Sequence, residues 1–303
     1  MNQAVPPQSM SVTTPTLPAA LAAPRGELVT RRGARMVYYA ATAAPGRPLL
    51  LIHSINAAPS SYEVKPLFER YRDERPVYSL DLPGFGLSDR AQRVYSADLF
   101  AEAIVDCLAT LPGAPADVIA LSLSAEFAAR ANLARPELVR SLALISPTGF
   151  GARPLPSARI GRGMHRLLRL PGLGSGLFRL LASRRSIRYF LDRSFTGSAP
   201  DDLVDYAWET ARQPGAWHAP LAFLSMQLFT PDAIETLYRH LTELPVLAIA
   251  DRDPYIDFDR LPAFAATRAN WLYQRLAPHL GLPHWERPTE TCTALEQFWA
   301  TAD

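Results

Sequence analysis

The chain has 303 residues, 48% of them hydrophobic, with 31 basic and 29 acidic side chains and a net charge of +2. That length buries a large core and implies one domain with an insertion, or two small domains. The near-neutral balance offers no overall sign of a nucleic-acid binder, whose footprint is a marked basic excess. No segment approaches the roughly 20 apolar residues of a transmembrane span. Only Lys65 among the basic residues is lysine, a bias of composition more than of chemistry. Cys107 and Cys292 lie far apart in no metal-type spacing. They read as two free buried thiols in a reducing, cytoplasmic compartment.

Residues 1–25 have no basic start and no unbroken apolar run, and Pro15 and Pro18 precede the AALAA stretch. We read them as a disordered tail, not a signal peptide. Residues 28–40 alternate apolar and polar around Arg32-Gly33, the pattern of a hairpin. Residues 48–53 (PLLLIH) and 76–82 (PVYSLDL) are continuously apolar, as strands buried on both faces are. Helical spacing covers 62–70 and 96–111, the second capped by Ser96. Residues 117–121 form another buried strand, followed by Ser122, a helix-forming run, and a further strand at 142–145.

The alternation stops at residue 150, and 150–237 reads as a helical cap of short amphipathic pieces rich in Leu, Arg and Gly. Strand signals return at 244–250 and 271–276, and a helix at 291–300 closes the chain. The fold class is therefore α/β: a mostly parallel sheet with flanking helices, its core split into 26–149 and 238–303 by the cap.

Ser122 carries the chemistry. A serine on a sharp strand-to-helix turn is pushed clear of the backbone, beside the N–H groups that open the helix. Ala120 and Ser124 are small enough for strand and helix to approach there. The loop after His53-Ser54 ends a buried strand and offers backbone donors toward the serine. Asp251 and Asp253 stand just past the strand at 244–250, where sites form in such sheets. The bland reading of Ser122 is an ordinary serine at a strand end.

These residues, with DLPGFGLSD at 81–89, ARPELVRSLALISP at 134–147 and LPHWERP at 282–288, resemble the α/β-hydrolase fold family, the capped serine-hydrolase branch. The resemblance implies Ser122 as nucleophile, Asp253 and not Asp251 as acid, and the N–H groups of Leu123 and Ile55 (or Ser54) as the oxyanion hole. A serine nucleophile argues against the branches that use aspartate. The family pattern puts its histidine two residues before the Pro of PHWE, and Gly281 occupies that slot. His279 is then the expected base if the loop is re-routed; His284 sits where the family packs a structural histidine; a lost base is the third alternative.

The resemblance implies a cofactor-free, metal-free hydrolase of an ester, thioester or related acyl bond. The rivals are a binding protein that lost its base, and a non-hydrolytic cyclase, lyase or acyltransferase. The expected partner is a small-molecule acyl substrate; a homodimer is compatible with the sequence. Ten arginines between Arg153 and Arg193 face only Asp192 in that stretch. They read as a solvated face, as a steering patch for an anionic substrate, or as a contact for an acidic membrane surface or carrier protein. His165 and His218 are candidate substrate contacts from the cap.

Overall fold

The computed structural model describes residues 16–152, 158–170 and 172–302. Among these, eight strands form one sheet: β1 (Arg25–Val29), β2 (Arg35–Ala41), β3 (Leu49–Ile52), β4 (Val77–Asp81), β5 (Ala116–Leu121), β6 (Val139–Ile145), β7 (Val246–Ile249) and β8 (Trp271–Gln274). Their spatial order is β1-β2-β4-β3-β5-β6-β7-β8. The β1–β2 and β2–β4 pairings are antiparallel and all the others parallel. The expected α/β class with a mostly parallel sheet is what the chain forms.

Apolar runs replace alternation in β3 to β7 because both faces are covered. Leu50 and Ile52 of β3 pack into one core with α2 (Ala97–Thr110) and α3 (Ser124–Ala134); α1 (Lys65–Tyr71) covers the opposite face, with Leu49 and Leu51 in the second core. Ser96 caps α2, its hydroxyl accepting from the Leu99 N–H at 3.2 Å.

Between β6 and β7 the described residues are helical and strand-free: α4 (Ala158–Leu168), α5 (Leu173–Leu181), α6 (Arg184–Asp192), α7 (Asp201–Ala211), α8 (His218–Leu224) and α9 (Ala233–Thr236). Phe150 and Tyr238, at the two ends of this segment, stack with ring centroids 4.6 Å apart. The Tyr238 hydroxyl donates to the Thr148 carbonyl at 3.0 Å. After β7 come α10 (Leu261–Ala266), α11 (Pro283–Glu286) and α12 (Pro288–Ala302), the last packing Leu295 and Phe298 into the second core. Among the described residues no helix is long and apolar enough to cross a membrane. Cys107 and Cys292 are both free and buried.

The tail expected over 1–25 needs correction where it is described. Leu17, Ala20 and Leu21 are buried in the second core, and β1 already begins at Arg25. The Ala20 N–H donates to the Tyr39 hydroxyl at 2.9 Å, and the Tyr206 hydroxyl to the Pro18 carbonyl at 2.8 Å. Prolines forbid a helix there but not packing of an extended segment. The first 15 residues, and Arg153 among the arginines noted above, lie outside the described residues.

Candidate active site

β5 is buried along its whole length and delivers Ser122 at its C-terminal end. Ser122 has φ 51°, a left-handed conformation that costs a side-chain-bearing residue energy and persists only where its surroundings enforce it. Its N–H donates to the Ile145 carbonyl at 2.9 Å, and its carbonyl accepts from the Ala125 N–H at 3.1 Å as α3 begins. The Ser124 hydroxyl donates to the His53 carbonyl at 2.6 Å, tying the turn to the end of β3.

Ser122 opens into a cavity of about 1190 Å³, also lined by Ile55, Asp253 and Gly281. That volume is ample for a small organic molecule. The helical segment supplies an apolar wall that includes Phe178, Leu181, Ile187 and Leu191.

The expected oxyanion donors divide cleanly. The Ser54 N–H is taken by Glu63 Oε2 at 2.9 Å. The N–H groups of Ile55 and Leu123 have no acceptor among the described residues. Ile55 lines the cavity, and Leu123 is buried at the head of α3, directly after Ser122. Ser54, where the family pattern has glycine, is not among the residues with positive φ, so its β-carbon is accommodated without strain. His53 braces the loop from beneath. Its Nδ1–H donates to the Ser54 carbonyl at 2.6 Å, and Nε2 accepts from the Leu82 N–H at 3.1 Å.

The two aspartates also part. Asp253 lines the cavity; its Oδ1 accepts from the N–H groups of Tyr255 at 2.7 Å and Ile256 at 2.9 Å. Burial pushes its carboxyl up to about 6, against the pull of those two amides. Oδ2 faces Gly281, where a β-carbon would come within 2.6 Å of it. The Gly281 carbonyl accepts from Ser146 Oγ at 2.9 Å. Asp251 instead takes the Arg275 guanidinium at 2.6 Å and the His279 N–H at 3.4 Å.

His279 is not brought to Ser122's cavity, which none of the six histidines lines. The His279 ring is buried, its Nδ1–H turned to the Leu280 carbonyl, and Nε2 has no partner among the described residues. Burial pulls its pKa down, while the Leu280 carbonyl and the charges of Asp251 and Glu286 oppose that. The loop thus spends the imidazole on its own backbone. His284 is buried with Nε2–H donating to the Glu63 carbonyl at 2.7 Å, and burial pushes it down to about 4. His165 contacts Ser225 Oγ at 3.2 Å, and His218 lies on Trp217 with centroids 3.8 Å apart.

Two carboxyls on the cavity wall were missed from sequence. Glu63 accepts from Ser54 N–H and, at 2.7 Å, from Asn56 Nδ2, fixing the Ile55 loop. Glu126 is buried one helical turn after Ser122 and accepts from Thr148 Oγ1 and, at 2.7 Å, from the Thr230 N–H. Burial raises its pKa despite those bonds. A lone acid inside the run AEFAA was the available signal. No group of three or more His, Cys, Asp or Glu placed to hold a metal is found among the described residues.

A parallel sheet with an outlying antiparallel pair, a serine turn after β5 and an acid after β7 define an α/β hydrolase. The alpha/beta hydrolase family model matches residues 49–294, and the chain belongs to that family. It is 30% identical over 128 residues to the uncharacterized hydrolase YugF of Bacillus subtilis, covering 41% of this chain and 46% of that one. It is 31% identical over 105 residues to 2-(acetamidomethylene)succinate hydrolase of Mesorhizobium japonicum, covering 35% and 37%. The matched segments thus span less than half the length of these curated relatives. The crystal structure of Cfl2 from Burkholderia cenocepacia superposes with a TM-score of 0.71 at 21% identity, over 90% of this chain and 95% of that one, a likeness of fold.

Proposed function

We propose that the protein is a hydrolase of an ester, thioester or related acyl bond in a largely apolar small molecule. Ser122 attacks the carbonyl carbon, and the N–H groups of Ile55 and Leu123 receive the developing oxyanion. The base takes the Ser122 hydroxyl proton and passes it to the leaving alcohol or thiol as the acyl bond breaks, and water, giving its proton to the same base, then releases the acyl group and restores the Ser122 hydroxyl. The observation that carries this reading is Ser122, held at φ 51° at the mouth of α3 and opening into a cavity shared with Ile55 and Asp253. The hydrolase-named relatives support the reaction class. The helical segment serves as the cap, its apolar wall selecting the acyl or leaving group. Arg260 is the one basic side chain among the described lining residues, against Glu63, Glu126, Asp232, Asp253 and Asp257, which supports a neutral substrate over an anionic one.

His279 remains the base in this reading, with its unpartnered Nε2 and its place on the loop that carries Gly281. Serving Ser122 requires its ring to leave the Leu280 carbonyl and the loop around residue 280 to rearrange when substrate binds. A second reading rests on Gly281 itself. With no side chain between Asp253 and the cavity, the same pocket supports a non-hydrolytic enzyme or a ligand-binding protein.

Labelling by a fluorophosphonate probe separates the two. The hydrolase reading expects labelling of the parent protein and its loss in Ser122→Ala and His279→Ala. Labelling that survives His279→Ala removes His279 as base. A parent that is not labelled rejects the serine hydrolase.

A further inference from the structure

We infer that the exposed apolar faces of α4 and α5 dock on an anionic lipid bilayer. Both helices carry the same pattern. Ile160, Met164 and Leu167 on α4, and Leu173, Leu177 and Leu180 on α5, recur at i, i+4 and i+7, and all six are exposed. The i, i+4, i+7 spacing puts each trio on one side of its helix. Exposure reaches 62% at Ile160 and 70% at Leu180. The inward sides are filled by Gly161 and Leu168 of α4 and by Gly174 and Phe178 of α5, so neither stripe is needed for the fold's own core. Aliphatic stripes on two successive helices exceed the scattered exposed residues of ordinary surfaces.

Charge selects the occupant. From residue 158 to 191 the chain has eight arginines and no aspartate or glutamate. Arg184 pairs with Asp205, and Arg188 with Asp192 and Asp201. Arg159, Arg162, Arg166, Arg169, Arg179 and Arg185 are all exposed and make no ion pair among the described residues. An aliphatic stripe on a helix whose remaining exposed surface carries unpaired arginines is what a helix lying in the headgroup region of an anionic bilayer presents. A second copy of this chain fits poorly, because a twofold contact would set the same arginines against each other.

α5, which carries the second stripe, also walls the cavity. Phe178 of α5 and Ile187 of α6 line it from within. Phe190 and Tyr255 also line it while remaining 43% and 53% exposed, so they form its rim. Their rings lie 6.1 Å apart. The inference does not require Ser122 to be a nucleophile.

Flotation of the full chain tests it, with vesicles of phosphatidylcholine alone and of phosphatidylcholine mixed with phosphatidylglycerol. Binding to the mixed vesicles only is expected. The pairs L167E/L180E and R159E/R166E should each weaken it roughly tenfold or more; for the arginines, one basic residue near the surface contributes about fivefold. Unchanged circular dichroism and melting in both pairs would show that the fold is intact. No flotation with anionic vesicles, equal flotation with neutral ones, or undiminished binding in both variants would overturn the inference. So would a lipid-free dimer that L167E/L180E dissociates. Probe labelling of Ser122 reports separately, so failure of the hydrolase reading and failure of lipid docking are distinguishable.

Discussion

Gly281 and Asp253 are in direct contact: a β-carbon at position 281 would stand 2.6 Å from Asp253 Oδ2. The carboxylate fills the room from which a side chain at that slot would begin. Its other oxygen is fixed by two amides, and the Gly281 carbonyl is fixed by Ser146, so neither partner is free to retreat.

Gly281→Ala should therefore cost about 1–3 kcal/mol, the usual range for overpacking a filled site. In an Asp253→Ala background most of that cost should vanish, because the obstructing atoms are gone. A double-mutant cycle by urea denaturation measures the coupling. An equal cost in both backgrounds would place the obstruction elsewhere.

Asp253 also sets a pH dependence. Its carboxyl rises from 3.8 to about 6 on burial, so the folded chain holds this proton more tightly than the unfolded chain does. The contribution to stability is fully present below the unfolded value and is lost as pH rises through about 6, by up to about 3 kcal/mol at 1.36 kcal/mol per unit. Asp253→Asn keeps the shape and removes the charge. Its stability relative to the parent should increase between pH 4 and 7, read from urea midpoints across that range.

His284 acts over the same window with the opposite sign. Burial lowers it from 6.5 to about 4, so the unfolded chain binds the proton first. Stability is full above 6.5 and falls as pH drops through about 4, again by up to about 3 kcal/mol. His284→Gln retains a donor for the Glu63 carbonyl but does not titrate. Its acid limb should be shallower than the parent's, and an unchanged limb would mean that His284 does not control it.

Leu21→Ala should destabilise the chain by about 2–5 kcal/mol, as for an aliphatic truncated inside a core. Leu21 is 3% exposed against the second core. A shift within experimental error would mean that the segment before β1 is not held as described.

The central sheet was legible because burial on both faces writes itself as unbroken apolar runs, as in LLLI of β3 and VLAI of β7. Ser122 was legible because strand and helix signals meet on it with no loop between. The packed segment at Leu17 to Leu21 was not: three apolar residues among prolines have no period, and only Tyr39 and Tyr206 across the fold give them a place. Nor was the orientation of His279, which depends on a local bond to Leu280 and on Asp251 far back in sequence. The stripes of α4 and α5 show a related limit. Spacing reveals that a helix has an apolar side, but not whether protein or solvent lies against it.

The stack of Phe150 on Tyr238 makes the two ends of the helical segment meet at one point beside the sheet. A segment closed in this way is thermodynamically a loop, and the entropy of closing a loop grows only logarithmically with its length. Helices can then be added, trimmed or resurfaced between these two rings without altering strand register or the strand ends that carry Ser122 and Asp253. The fold thereby separates two kinds of change: the walls and outer faces of the helical segment can diversify while Ser122 and Asp253 stay in place at their strand ends.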